Sequence, residues 1–68
     1  MKDEKFYRHL AYNLLTMEGL ADNIGMHRAT LYRRIEKNGE TFTVKEIEEI
    51  SRQLALSKRE MLDIFFNS

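Results

Sequence analysis

The sequence predicts a small all-α domain of five short helices, and three observations support that fold class. Apolar residues recur at spacings of three and four along most of the 68 residues, as in helices that bury one face. Two segments, at Thr43 and at Ser57, carry a hydroxyl residue followed three positions later by Glu, which is typical of a helix start. Proline is absent and only three glycines occur, so few residues oppose helix formation.

The first two helices are predicted from apolar spacing and from the residues at their ends. The first is expected over residues 5–15, with one buried stripe formed by Phe6, Leu10 and Leu14. Thr16 fits the N-cap of the second helix, since its hydroxyl can accept a hydrogen bond from a free backbone N–H of the first turn. Gly25 is expected to end that helix, because glycine adopts a positive φ without steric cost.

The third and fourth helices are predicted in the same way. The third is expected over residues 28–37, and Asn38-Gly39 closes it with two residue types that tolerate a left-handed conformation. The fourth begins after Thr43, with Glu46 completing the capping box. Its expected apolar stripe is Val44, Ile47, Ile50 and Leu54.

The fifth helix begins after Ser57 and carries two adjacent aromatic residues, Phe65 and Phe66. Because neighbouring residues cannot share one helical face, one ring is expected in the core and the other exposed near the end of the helix. An exposed ring there would offer a surface for self-association. The alternative is that both rings fold back onto the domain.

Composition and charge exclude several functional classes. Cysteine is absent and only two histidines occur, so disulfides, metal sites and cofactor-dependent chemistry are not expected. The sequence also lacks a glycine-rich phosphate loop, a cysteine nucleophile and a paired-carboxylate site, which argues against an enzyme. No run approaches the roughly 20 apolar residues of a membrane span, so a cytoplasmic location is expected. The net charge is zero, which counts against DNA binding in general.

A second pattern predicts a helix-turn-helix at about residues 17–36. The small residue Ala21 is followed by Gly25, then by Leu31 and Ile35, at the spacing that two helices need to cross steeply over a short turn. The predicted third helix carries four basic residues, Arg28, Arg33, Arg34 and Lys37, and one acidic residue, Glu36. Its exposed side is therefore expected to be positively charged. This face is either an ordinary solvated surface or a surface that contacts nucleic acid.

The chain resembles the helix-turn-helix domains of phage repressor and Cro-type regulators, the lambda-repressor-like family. The matching residues are Leu20-Ala21, Ile24-Gly25-Met26, Thr30-Leu31, Ile35, Phe42-Thr43, Glu46-Ile47 and Ile64-Phe65-Phe66. The resemblance covers residues 6–66 and implies one helix-turn-helix domain over residues 1–68. It also implies that the third helix lies in the major groove of a double-stranded DNA operator.

The resemblance assigns base reading to Arg28, Ala29 and Arg33. Contacts with the DNA backbone, or at the start of the helix, fall on Met17, His27, Thr30, Tyr32, Arg34 and Lys37. Two of these positions depart from the family. His27 stands where Ser or Thr is frequent, which predicts a weaker helix cap, and Met17 stands where several relatives have Gln that contacts a phosphate.

Two functions are compatible with these patterns. The first is a Cro-like repressor of a phage or prophage switch, binding its operator as a homodimer in the bacterial cytoplasm. The second is a small antirepressor that binds a cognate repressor protein and masks its DNA-binding surface. The second function is favoured by the zero net charge, by the lack of a polar residue at Met17, and by an acidic cluster of Glu46, Glu48 and Glu49. That cluster also fits a solvated helix face. An accessory role in a toxin–antitoxin pair is a third possibility.

Overall fold

Five α-helices make up most of the chain in the computed structural model, which describes residues 1–67. They are α1 (Asp3–Tyr12), α2 (Met17–Asn23), α3 (Arg28–Glu36), α4 (Val44–Gln53) and α5 (Lys58–Phe65). No strand occurs within this described range, so the predicted all-α fold class is confirmed. None of these helices is long and apolar enough to cross a membrane.

All five helices contribute to one apolar core. Its largest fully buried side chains are Phe6, Leu20, Leu31, Ile50, Leu54 and Ile64. Phe65 is also buried, and its ring packs edge-on against Phe6 and Phe42, with centroid separations of 6.4 Å and 5.9 Å. Phe66 is exposed, so the two adjacent rings separate in the way that the helical period requires.

Both predicted capping boxes are present. The backbone N–H of Glu46 donates to the Thr43 hydroxyl over 3.1 Å, and the Glu46 carboxylate accepts from the Thr43 N–H over 2.9 Å. Ser57 and Glu60 form the same reciprocal pair, with distances of 3.1 Å and 2.8 Å. These bonds satisfy backbone donors that have no partner inside the helix, which fixes the starts of α4 and α5.

Four helices end through the same backbone closure. At each end one residue takes a left-handed conformation, and the next backbone N–H donates to a carbonyl five residues earlier, as in a Schellman motif. The left-handed residues are Leu14, Gly25, Asn38 and Ala55, with φ values of 55°, 68°, 59° and 52°. Only one of them is glycine, so three of the four ends lack the strongest sequence signal for a helix stop.

The prediction for the first helix was therefore wrong at its end. α1 stops at Tyr12 rather than continuing to residue 15, and the Leu15 N–H donates to the Leu10 carbonyl over 3.1 Å. Asn13 also ties the turn to the end of α4, since its amide donates to the Leu54 carbonyl over 3.0 Å. As a result Leu14 is 94% exposed and is not part of the apolar stripe.

Two smaller expectations also need correction. Val44 is exposed rather than part of the α4 stripe, because it is the first residue of that helix and lies at the edge of its buried face. α3 ends at Glu36, and Lys37 is its C-cap rather than its last helical residue.

The N-terminal segment is held against α5 by charge and by the backbone. The Lys2 and Lys5 ammonium groups each approach one oxygen of the Asp63 carboxylate, both at 2.6 Å. The Lys2 backbone N–H donates to the Ile64 carbonyl over 2.8 Å. The hydrogen bonds from Lys2 and Lys5 hold the pKa of Asp63 well below its ordinary value.

Replacing Leu14 with glycine should stabilise the protein. The side chain is almost fully exposed, so little burial is lost, while the left-handed φ becomes free of strain. The left-handed conformation costs a residue with a Cβ atom about 1–2 kcal/mol, whereas glycine loses about 0.5–1 kcal/mol more in backbone entropy on folding. We therefore expect Leu14→Gly to raise the free energy of unfolding by about 0.5–1 kcal/mol. Urea unfolding measures this, with Leu14→Ala as the matched control that keeps the strain. A Leu14→Gly protein no more stable than Leu14→Ala would contradict the assigned conformation.

The Asp63 pair should make stability depend on pH. Because its pKa is lowered in the folded protein, the carboxylate stabilises the fold above its ordinary pKa of 3.8, and this contribution declines as the pH falls below that value. Asp63→Asn should therefore be less stable than the unmodified protein at pH 7, and the difference should shrink at pH 3. Urea unfolding at several pH values tests this. A difference that does not change with pH would show that the charge of Asp63 is not responsible.

Candidate functional site

The α2–α3 pair carries most of the predicted site residues. Of the apolar residues that the sequence assigns to the core of this pair, four are buried: Leu20, Ala21, Leu31 and Ile35. Ile24 and Met26, expected in the same wedge, are partly buried and pack against the core. Residues 24–27 connect the helices, and the Met26 N–H donates to the Ala21 carbonyl over 2.9 Å. A Cβ atom on Gly25 would meet nothing within 4 Å, so the glycine serves the backbone conformation and not a close approach.

His27 caps α3 through its own side chain, at the position where the sequence predicts a weaker cap than Ser or Thr would give. The Ala29 backbone N–H donates to Nδ1 of His27 over 3.2 Å, and His27 has the extended conformation of an N-cap. Nδ1 can accept only when the imidazole is neutral and its proton is on Nε2. The cap therefore leaves the Nε2–H group of an exposed ring as a donor at the start of α3.

Most of the predicted contact residues of α3 lie on its exposed side. Exposed residues of α3 and its C-cap include Arg28, Ala29, Tyr32, Arg33 and Lys37. Thr30 is half-buried, and its hydroxyl accepts a long hydrogen bond of 3.4 Å from Arg33 Nη2. The three residues proposed for base reading are thus all accessible to a partner.

Two predicted contact residues have other surroundings. Met17 is buried and belongs to the core, so its side chain lies away from the exposed face of α3. Arg34 is half-buried and turns toward α4, where its Nη1 binds the Glu46 carboxylate over 3.1 Å and also the Thr41 carbonyl. Arg34 thereby joins the capping box of α4 to α3, which is a structural role that sequence spacing does not reveal.

Arg28 is paired as well. Its Nη1 donates to the Glu18 carboxylate over 3.0 Å, a contact that links the first turn of α3 to the first turn of α2. Both side chains remain largely exposed, at 59% for Arg28 and 67% for Glu18. The sequence does not reveal Glu18 as the partner of Arg28, because the two residues are ten positions apart on different helices.

Counting the charged residues of α3 in the sequence therefore overestimates the positive charge that its surface presents. Of its four basic residues, Arg28 pairs with Glu18 and Arg34 with Glu46. Within residues 1–67, Arg33 and Lys37 form no salt bridge. An open groove of about 490 Å³ lies at this end of the helix, lined by Thr30, Arg33, Arg34, Lys37 and Thr41.

An aromatic and acidic patch adjoins the basic face. Partial burial raises the pKa of Tyr7, and the neighbouring Tyr32, Asp3 and Glu36 raise it further. Tyr7 and Tyr32 are both partly exposed, so rings from α1 and α3 form part of the surface. The face around α3 is consequently mixed in character, with cations on one side and carboxylates with phenol rings on the other.

The predicted self-association residues separate into one core residue and one surface residue. Phe65 is buried, whereas Phe66 is 60% exposed. Leu62, one turn earlier on α5, is also exposed, and the two side chains line a shallow groove that Lys58 and Arg59 enter from the start of the helix. The exposed apolar surface at this end of the molecule therefore consists of Leu62 and Phe66.

Removing the imidazole cap should destabilise the protein. We expect His27→Ala to lower the free energy of unfolding by about 1 kcal/mol, because the Ala29 N–H loses its partner. His27→Ser should retain or exceed the original stability, since serine is a strong N-cap. Urea unfolding of both variants measures this. Equal stability of the alanine and serine variants would show that the side chain at position 27 does not cap α3.

The candidate site thus comprises the exposed side of α3 together with Glu18 of α2. Among residues 1–67, no three histidine or acidic side chains are grouped so as to hold a metal ion. No protein-family model matches the sequence, and no curated protein or solved structure matches it either.

Proposed function

We propose that this chain is a sequence-specific DNA-binding transcription regulator, a small Cro-like repressor of a phage or prophage switch. The observation that carries the proposal is the exposed basic side of α3, with Arg28 and Arg33 on a helix that follows a short turn. In this function α3 is the recognition helix of a lambda-repressor-like helix-turn-helix and lies in the major groove of a double-stranded operator. Its site of action is the cytoplasm of the bacterial host.

Base reading is assigned to three exposed residues of α3: Arg28, Ala29 and Arg33. Arginine donates two parallel hydrogen bonds to O6 and N7 of guanine, and one such pair contributes about 1–3 kcal/mol of discrimination. The methyl group of Ala29 suits contact with the methyl group of thymine. Arg28 and Ala29 belong to the first turn of α3, which is the part of a recognition helix that approaches the base edges.

Backbone contacts are assigned to residues around the groove at the end of α3. Lys37 is exposed there, and Thr30 and Arg34 line the same groove, although Arg34 is held by Glu46. Tyr32 and the Nε2–H of His27 are further donors on the exposed side of α3. Such contacts orient a protein on the duplex and carry little sequence information.

The proposed regulator acts as a homodimer through α5. Leu62 and Phe66 form an exposed apolar ridge, and Arg59 lies one turn before Leu62. In an antiparallel pairing of two copies, Leu62 meets its counterpart and the Arg59 cation approaches the Phe66 ring of the other copy, so the surface is self-complementary. A dimer of this kind binds two half-sites about one helical turn apart.

A specific observation favours a second candidate, the antirepressor. The net charge is zero, Glu18 neutralises Arg28, and the patch of Tyr7, Tyr32 and Glu36 places rings and a carboxylate beside α3. A surface of this kind suits the basic DNA-reading helix of a cognate repressor protein, because aromatic and acidic side chains complement exposed arginines.

One titration distinguishes the two functions. The purified protein is titrated onto DNA from its own promoter region at two salt concentrations. A DNA-binding regulator should bind alone, with an affinity that falls steeply as salt rises, because phosphate contacts release condensed counterions. Arg28→Ala combined with Arg33→Ala should weaken operator binding by at least about 30-fold, since each lost base contact removes about 1 kcal/mol or more.

A matched control removes two exposed arginines elsewhere, Arg8 on α1 and Arg52 on α4. Arg8→Ala with Arg52→Ala changes the net charge equally and should leave operator specificity intact. If the Arg28 and Arg33 variant binds the operator as tightly as the unmodified protein, the base-reading assignment is wrong. Absence of binding by the unmodified protein, together with release of a cognate repressor from its DNA, would instead establish the antirepressor.

A further inference from the structure

The contact between Glu18 and Arg28 joins the two helices at the surface that faces DNA in the proposed function. We propose that Glu18 is a positioning residue that fixes how Arg28 reads a guanine. This inference rests on the proposed function and deepens it, because it assigns sequence specificity to an acidic residue of α2.

The atoms that form the contact determine which donors remain. Glu18 accepts from Nη1 of Arg28 over 3.0 Å, and this is the hydrogen bond that the Arg28 guanidinium makes within residues 1–67. Nε and Nη2 lie on the other edge of the planar group and remain unoccupied there. Their two N–H bonds form the parallel fork that matches O6 and N7 of guanine. Glu18 thus occupies one side of the guanidinium and leaves the base-reading side free.

The two helices hold both partners in place. Glu18 lies in the first turn of α2, whose start is fixed by the Thr16 hydroxyl accepting from the Gly19 N–H over 3.0 Å. Arg28 is the first residue of α3, directly after the His27 cap. A long arginine side chain that is already oriented loses less rotational freedom when it binds a base, and preorganisation of this kind favours the correct contact.

A role in stability alone does not account for the pair. Both side chains are mostly exposed, at 59% for Arg28 and 67% for Glu18, and exposed ion pairs contribute little to folding. At a DNA surface the same carboxylate has a second effect, because its negative charge repels phosphates and lowers non-specific affinity. Glu18 therefore increases the ratio of operator binding to non-specific binding in two ways.

The experiment selects binding sites from a pool of random-sequence duplex DNA, using the full chain and its Glu18→Ala variant. The unmodified protein should enrich a site with a guanine at one position that depends on Arg28. Glu18→Ala should reduce the preference for that guanine about fivefold to tenfold, which is part of the discrimination of one bidentate contact. Its affinity for unselected duplex should rise. Glu18→Gln keeps an acceptor oxygen and should restore most of the guanine preference.

Two controls separate positioning from a general effect of charge. Glu48→Ala removes an exposed carboxylate from α4 and should change no base preference. In an Arg28→Ala background, Glu18→Ala should likewise leave every base preference unchanged, because the residue acts through Arg28. Thermal unfolding of each variant verifies that it is folded at the temperature of the assay.

The outcomes are distinguishable. If the unmodified protein enriches a site and Glu18→Ala keeps the full guanine preference, Glu18 is not a positioning residue, while the proposed function stands. Glu18 is likewise not a positioning residue if Glu18→Ala alters base preference in the Arg28→Ala background. If the unmodified protein enriches no sequence at all, the proposed DNA-binding function is wrong and the role of Glu18 is refuted with it.

Discussion

Gly25 has a φ of 68°, and this left-handed residue turns the chain between α2 and α3. This conformation allows the Met26 N–H to donate to the Ala21 carbonyl over 2.9 Å, and this hydrogen bond ends α2. The chain then extends at His27 and begins α3. Because the two helices are separated by so few residues, their apolar faces meet in one core while their first turns meet at the surface. The pairing of Glu18 with Arg28 is a direct consequence.

The same closure ends α1, α3 and α4, with a non-glycine residue in the left-handed position each time. A left-handed residue with a Cβ atom raises the energy of the fold, so each closure needs a compensating interaction. After α1 and α4 that interaction comes from the residue that follows, since Leu15 and Leu56 each pack against the core. The left-handed residue after α3 is Asn38, a residue type that adopts this conformation at a lower cost. Apolar contact after the helix end thus offsets backbone strain and fixes the direction in which the chain leaves.

Charge is arranged by tertiary contacts rather than by local composition. Four basic residues in and next to α3 suggest a strongly positive helix, but Glu18 and Glu46 reach two of them from α2 and α4. Glu46 also completes the capping box of α4, so one carboxylate both starts a helix and holds Arg34. Among the four basic residues in and next to α3, Arg33 and Lys37 form no salt bridge within residues 1–67, and the proposed DNA surface has an acidic component of its own. For a regulator this mixture favours selectivity over bulk electrostatic attraction.

The sequence by itself determined the fold class, the number of helices, and the starts of α4 and α5. These features depend on local chemistry: apolar spacing selects a buried face, and a hydroxyl residue with Glu three positions later satisfies free backbone donors. Only the tertiary structure decided where α1 ends, that His27 caps α3, that Met17 is buried, and which carboxylates neutralise Arg28 and Arg34. A left-handed Leu14 carries no residue signal, and a salt bridge between two helices depends on their packing. Such features follow from how the helices meet, which no local stretch of sequence specifies.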